Sequence, residues 1–514
     1  MSRVLSFVYC VIYLTSVCEA ARILAHYPTP SISHQVVFRP LTLELAKRGH
    51  EVVVITTDPI FPKGDTPANL TEIDVHDHSY DIWRKLITKL GNKVGVNQFS
   101  TVIQSITLLV EEQLKTPDVQ KILKDKSRKF DLIIVEAFVE SALGLAHLYK
   151  APVIQFSSLA GTVNTLEIFG TATHPLIYPS PVHKRLHNLT LWEKLSELYD
   201  EYRTNRIFNE NDEFVTGVMK RIFGEDTPDI KQLRSNVDML FLNVHPFWDF
   251  NRPVPPNVIY LGGMHQKPAK ELPKDLQEYL DSSKNGVIYV SFGSNVDPGL
   301  FPPETIQILV NVFSKLPYDI LWKWNQDELP GRTPNIRISK WLPQSDLLGH
   351  PKIKLFITQC GLQSTDEAIT AGVPLLGMPV FGDQEFNAEQ YLYHGIGVRV
   401  DIETVTEEKL SKGINTILKD DSYRKNIVRL RSLTRDQPQP PLERAVWWTE
   451  YVIRHSGARH LRAAGANKST FEYYELGLVS YLLVALAIVL GLVLTLVKFV
   501  YENFFKPSIK VKNS

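Results

Sequence analysis

Short Val/Ile-rich runs alternating with helix-period segments, twice over in 514 residues, constrain the fold of this chain most tightly. Arg22–Tyr27 is a short apolar strand. Gln35–Arg48 follows with helical spacing through Val37, Leu41 and Leu45, Gly49 stops it, and Glu51–Thr57 is a second strand. This is a βαβ unit, and it implies a parallel sheet covered on both faces. Asp131–Val135 and Ala151–Phe156 read as further buried strands, with helical patterns around Val102–Leu114 and Ser141–Tyr149 between them. After Gly262 the texture changes to Lys267-Pro268-Ala269-Lys270-Glu271-Leu272-Pro273-Lys274, a Pro/Lys-rich linker. A second alternation then runs through strands at Val287–Phe292, Ile320–Trp324, Ile353–Thr358, Pro374–Met378 and Val398–Asp401. Its helices include Pro303–Leu316 and Gln363–Ala371. Two doubly wound α/β halves that face each other hold ligands in the crevice at the carboxyl ends of their strands.

The predicted organisation is an N-terminal domain over 21–262, a linker over 263–285, a C-terminal domain over 286–440 and a return segment over 441–475. Pro438-Gln439-Pro440-Pro441 closes the second half. Leu442–His455 then reads as a Trp-rich amphipathic helix whose Trp447-Trp448 pair could face a bilayer interface or pack on the body.

Both chain ends read as targeting segments. In 1–20, Arg3 precedes an apolar run from Val4 to Val17, and Cys18 and Ala20 are small residues suited to signal-peptidase cleavage before Ala21. Leu476–Val497 is 22 uncharged residues, enough to span a bilayer once. The tail 498–514 carries Lys510 and Lys512, which resemble a dilysine retrieval signal of the endoplasmic reticulum, although a basic tail also suits anionic lipid. Together these predict a type I membrane protein with its bulk in the lumen. Sequons at Asn69, Asn188 and Asn467 agree with that side, Asn467 lying too near the membrane to be used well. Once the leader is removed, Cys360 stands alone and no intrachain disulfide can form.

Charge excludes one large class. With 56 Lys+Arg against 56 Asp+Glu the net charge is zero, without the basic footprint of a nucleic-acid binder. Several catalytic signatures also fail. There is no Gly-x-Ser-x-Gly elbow, and Gly395-Ile396-Gly397 lacks the third glycine of a dinucleotide site. His76-Asp77-His78 with Asp74 has no further ligands at metal spacing, so it reads as a solvated edge or loop and no metal is called for.

The chemistry concentrates between Ser291 and Gln390. Phe356-Ile357-Thr358-Gln359-Cys360-Gly361 is a strand running into a glycine turn, and a helix follows with Ser364, Asp366 and Glu367 in its first turns. That helix start offers free N–H groups to phosphate. Glu367 can accept from a ribose diol. Pro379-Val380-Phe381-Gly382-Asp383-Gln384 supplies adjacent acceptors and donors for a polyhydroxyl ring.

The spacing Phe-Ile-Thr-Gln-x-Gly-x2-Ser-x2-Glu-x6-Pro-x4-Pro-x3-Asp-Gln closely resembles the signature of the UDP-glycosyltransferase family. The likeness extends to Ser291-Phe292-Gly293-Ser294, to Trp341-Leu342-Pro343-Gln344, and more loosely to the whole chain. The resemblance implies the two-domain GT-B fold, with UDP-sugar on the second domain. Trp341 would stack on uracil and Gln344 would reach the nucleoside. Ser294 and the turn Gln359–Gly361 would face the phosphates, Glu367 the ribose, and Asp383 and Gln384 the sugar. Most members carry His where this chain has Gln359. Gln donates an amide N–H but not a charge, which implies weaker or less pH-sensitive diphosphate binding.

By the same resemblance the first half takes the acceptor. His34, just past the first strand at the start of the first helix, sits where the family's catalytic base does. The positive end of the helix disfavours imidazolium and keeps the ring a base. Counting from Phe130-Asp131, the partner carboxylate falls on Glu136, where relatives usually have Asp. The expected reaction is inverting transfer to a small lipophilic alcohol or phenol. UDP-glucose or UDP-glucuronic acid is the co-substrate, and no other cofactor is needed. Arg252 matches a position that is Arg in many users of UDP-glucuronic acid, yet the signature looks most like insect members, which favours glucose. The segments Asp74–Thr116 and Gly161–Asp200 read as acceptor loops without a specific code. A membrane-anchored UDP-sugar or lipophile binder without turnover is the alternative, and the pattern also allows a homo-oligomer.

Overall fold

The computed structural model describes residues 20–90, 98–125 and 127–506. The predicted leader, with Arg3 and the cysteines at 10 and 18, and the lysines at 510 and 512 lie outside the described residues.

Two parallel sheets make the body. The first is built of β1 (Arg22–Tyr27), β2 (Glu51–Thr56), β3 (Leu70–Asp74), β4 (Leu132–Glu136), β5 (Val153–Ser157), β6 (Met239–Leu242) and β7 (Val258–Tyr260). It runs in the order β3-β2-β1-β4-β5-β6-β7. The second comprises β8 (Val287–Ser291), β9 (Asp319–Lys323), β10 (Ile336–Ser339), β11 (Ile353–Thr358), β12 (Leu375–Gly377) and β13 (Gly397–Arg399), in the order β10-β9-β8-β11-β12-β13. Each sheet reverses direction of growth beside its first strand, which opens a crevice at the carboxyl ends. The central strands β1, β4, β8 and β11 are almost wholly buried, as Val/Ile runs covered on both faces must be.

Helices position the site. α1 (Ile32–Lys47) is capped by Ser31, begins three residues before the predicted start and carries Pro40 in its interior. An interior proline costs a helix about 3 kcal/mol. Burying Val37, Phe38, Leu41 and Leu45 fully, at about 1.5–3 kcal/mol each, outweighs that. α3 (Phe99–Lys115) contains the helical pattern read around Val102–Leu114, whereas α2 (His76–Leu90) and the start of α4 (Leu191–Phe223), a 33-residue helix with a Thr190/Glu193 capping box, lie where acceptor loops were expected. The His76-Asp77-His78 reading is corrected with them. Asp74 Oδ1 caps the backbone N–H of His76 at 2.8 Å, and His76 Nδ1 sits 2.7 Å from the Thr57 carbonyl, so these residues begin a helix.

In the second body, α5 (Leu362–Ala371) follows β11 and α6 (Gln384–Tyr393) follows β12. The chain then returns. α7 (Pro441–Arg454) packs Ala445, Val446 and Val452 into the first domain's core beside Ile23 and Leu41, and Trp448 rests against that cluster. Asp238 Oδ1 fixes the end of the return by accepting from the Ala458 N–H at 3.0 Å. Finally α8 (Leu476–Val500) projects with its apolar side chains exposed, and with its short π-helical extension to Phe505 it is long and apolar enough to cross a membrane.

Candidate active site between the two domains

His34 lies in the first turn of α1, and Glu136 is the last residue of β4, adjacent to β1 in the sheet. Register therefore brings them together from 102 residues apart, with His34 Nδ1 2.7 Å from Glu136 Oε1. Glu136 is fully buried, and its Oε2 accepts the Thr29 backbone N–H at 3.1 Å. A carboxylate so placed accepts a hydrogen bond from Nδ1–H and leaves the Nε2 lone pair free. Ser158, just beyond β5, puts its Oγ 3.0 Å from the same Nδ1. Sequence reasoning missed Ser158, although its position past the carboxyl end of a buried strand was the available signal.

A cleft of about 580 Å³ opens here, and both domains line it. It collects His34, Ser294, Trp341, Gln344, Gln359, Gly361, Glu367, Asp383 and Gln384, with Glu136 behind His34. The second-domain wall is wired internally. Gln344 Nε2 donates to Glu367 Oε2 at 2.7 Å and to Ser364 Oγ at 3.0 Å, while its Oε1 accepts from the Tyr289 hydroxyl at 3.0 Å. Both ends of the Gln344 amide are thus engaged, and it positions Glu367 rather than projecting free into the cleft. Gln384 is similar: its Oε1 accepts from the N–H groups of Val380 and Phe381 at 2.9 and 3.0 Å, fixing the turn before α6.

Burial governs the acids. It pushes Glu367 up to about 7, against the Gln344 hydrogen bond, and Asp366 beside it up to about 8. Asp383 rises to about 6 by burial, opposed by the 2.8 Å Asn387 hydrogen bond and by the facing His34. Trp341 is 66% exposed, a flat ring presented to the cleft. Lys323, also missed from sequence, ends β9 with its Nζ 5.4 Å from that ring centroid, donating to the Gly293 carbonyl at 2.6 Å.

Gln359 packs tightly. Gly293 adopts φ +77, which favours glycine, and a Cβ there would lie 2.1 Å from Gln359 Nε2 and force that amide to move. Gly361 N-caps α5. Cys360 is buried at φ +71 and burial pushes its thiol well up, so it is no nucleophile.

Arg252 is elsewhere. Its guanidinium holds Asp249 through two 3.1 Å hydrogen bonds and donates to the carbonyls of Ala172 and Pro179. The side chain is wholly buried and outside the cleft lining. Burial raises Asp249, and Arg252 is its counter-charge. Arg252 is thus engaged in an internal ion pair.

Paired sheets of this order facing one cleft are the GT-B architecture of glycosyltransferases. Solved structures share it. A spinosyn forosaminyltransferase matches with TM-score 0.59 at 18% identity, covering 85% of this chain and all of the other. The calicheamicin glycosyltransferase CalG4 matches at 0.57 with 17% identity, covering 85% and 99%. The family is shown by sequence: the model for UDP-glucoronosyl and UDP-glucosyl transferases matches residues 24–511. Among curated relatives, an ecdysteroid UDP-glucosyltransferase of Spodoptera littoralis nuclear polyhedrosis virus is 38% identical over 91% of this chain and 95% of its own. UDP-glucosyltransferase 2 of Dactylopius coccus is 32% identical over 96% of each. The chain belongs to this family and is a UDP-glycosyltransferase.

Proposed function

We propose that this enzyme transfers glucose from UDP-glucose to a hydroxyl of a small lipophilic acceptor, with inversion. The observation that carries the reading is the 2.7 Å His34–Glu136 pair on one wall of a cleft whose other wall holds the donor signature. His34 Nε2 takes the acceptor proton as the oxygen attacks the anomeric carbon, and UDP leaves from the opposite side. Glu136 holds the tautomer and balances the imidazolium as it forms. Glu367 meets the ribose, Trp341 the uracil, Ser294 and the Gln359–Gly361 turn the diphosphate, and Asp383 and Gln384 the sugar. Lys323 adds a cation beside the uracil ring.

The glucose donor is supported by the names of the relatives and by the internal pairing of Arg252, which keeps that guanidinium from a sugar carboxylate. A lipophilic acceptor is supported by the first-domain wall, where Trp83, Phe99, Ile103, Phe138 and Phe208 line the cleft. The apolar helix α8, the leader and the dilysine tail support a lumenal enzyme on the endoplasmic-reticulum membrane, acting in conjugation.

Membranes expressing the full chain, given a simple phenol and either UDP-glucose or UDP-glucuronic acid, test this by product mass. Glucoside is expected. Glucuronide alone would overturn the donor assignment, and no conjugate from several acceptors with a folded enzyme would overturn the reaction.

A further inference from the structure

The first-domain wall of the cleft mixes apolar side chains such as Phe99, Ile103 and Phe208 with neutral polar ones such as Asn164, Ser180 and Thr204. Among the described residues that line it, His34 and Glu140 carry its titratable side chains. The proposed reaction uses His34 and leaves Glu140 without a task. Glu140 begins the 3-10 turn Glu140–Leu143, four residues beyond Glu136. Four residues of chain span at most about 14 Å, so Glu140 lies within one small molecule's length of the base.

Glu140 is held rigidly from behind. Arg234 Nε donates to Glu140 Oε1 at 2.8 Å and its NH2 group donates to Oε2. The same NH2 lies 2.6 Å from Asp212 Oδ1, so one buried guanidinium serves two carboxylates. Lys231, 3.8 Å from Asp212 and 68% exposed, is the remaining charge on that side. Each carboxylate oxygen accepts two hydrogen bonds and Arg234 supplies one to each. The Glu140 side chain keeps 13% of its surface, and the residue lines the cleft. A preoriented carboxylate thus faces a cleft wall whose other side chains, His34 aside, are uncharged, a setting in which a matching donor is rewarded and its absence penalised.

Resting on the reading that this half of the cleft takes the acceptor, we propose that Glu140 is a second recognition point. Its carboxylate accepts from a hydroxyl or N–H at the far end of the acceptor. The enzyme therefore selects lipophiles bearing two separated hydrogen-bond donors, one glycosylated at His34 and one bound at Glu140, and disfavours those with an anionic far end.

The test uses the full-length enzyme in membranes with UDP-glucose and four compounds: a rigid steroid diol, the two mono-ols made by deleting either hydroxyl, and a counterpart with a carboxylate at the far end. The diol should exceed the better mono-ol in kcat/KM by about tenfold to a hundredfold, the range of a hydrogen bond to a charged group. In Glu140→Gln that ratio should fall towards one, through KM, and the carboxylate compound should gain. Arg234 keeps Asp212 in Glu140→Gln; should the Tm fall nonetheless, Glu140→Gln combined with Arg234→Gln and Asp212→Asn repeats the comparison without a lone buried charge. An unchanged diol to mono-ol ratio in a folded variant overturns the proposal. Equilibrium dialysis of the same compounds separates the two readings: absence of any product from wild type counts against the transferase assignment, while the binding ratio still judges Glu140.

Discussion

Glu136→Gln isolates the role of a single proton. The carboxylate accepts on both sides, from the Thr29 N–H at 3.1 Å and from His34 Nδ1 at 2.7 Å. A glutamine has one accepting end. If its oxygen faces Thr29, its NH2 meets Nδ1 and demands the opposite tautomer, with Nε2 protonated and useless as a base. If its oxygen faces Nδ1, two donors confront each other at Thr29, and a stranded buried donor costs about 1–3 kcal/mol. That energy opposes the active arrangement and corresponds to about a 5- to 150-fold loss of the competent population. Ser158 Oγ, 3.0 Å from Nδ1, still accepts from the active tautomer and moderates the loss. We expect kcat to fall by about 10- to 100-fold, with donor and acceptor KM little changed. His34→Ala should lose more, about 10²- to 10⁴-fold, the usual worth of a general base. Steady-state kinetics on membranes, with thermal unfolding as control, decides it. A folded Glu136→Gln enzyme with kcat within twofold of wild type would refute the tautomer argument.

Three further outcomes follow from the same geometry. Gln359→His should lower donor KM and add a pH-dependent limb near the ordinary histidine range of about 6.5; an unchanged KM and profile would show that the amide already suffices. Donor KM should fall as pH rises through about 7, because burial holds Glu367 as a partly neutral acid and ribose hydroxyls donate best to its charged form. Glu367→Gln should flatten that dependence, and a flat wild-type profile from about pH 6 to 8 contradicts the assignment. Arg252→Met should cost about 3–5 kcal/mol by leaving Asp249 unpaired, read as a drop in Tm, without altering the ratio of glucoside to glucuronide. A donor switch in stable protein would restore Arg252 to the site.

The legible parts of the fold were those whose burial shows as composition. β1 and β11 fall on the predicted residues because a strand covered on both faces must be a continuous apolar run. β3 and β10 are sheet-edge strands with mixed exposure, so neither a run nor a clean alternation marks them. α4 escaped for a different reason. Its buried face includes Glu197, Glu201, Asn211 and Asp212, and a helix that buries polar groups has no apolar stripe to count. The donor side was legible because its residues are close in sequence, strung along one strand, turn and helix. Glu136 was reachable only by counting from a neighbouring motif. Arg252 left the donor open in sequence because residue type indicates what a guanidinium can bind, whereas only packing shows that Asp249 already holds it.

What neither domain's sequence displays is their mutual hold on the base. Gln363, the second residue of α5, donates to the Ser158 carbonyl at 2.9 Å, and Ser158 Oγ meets His34. Asn295, next to Ser294, donates to Ser31 Oγ at 2.9 Å, and Ser31 opens the helix that carries His34. Both contacts come from the ends of second-domain elements that bear the donor signature, and both land on neighbours of the imidazole. The His34 ring is therefore set by three first-domain groups, Glu136, Ser158 and the start of α1, two of which the second domain grips. An inverting displacement needs the acceptor oxygen, anomeric carbon and leaving phosphate in line, and an error of about 1 Å can cost a hundredfold. Tying His34, the proposed base, to the wall proposed for the donor through short side chains fixes that line with hydrogen bonds, each worth only about 1 kcal/mol net. Contacts of that size can position the ring while letting the domains part for substrate entry.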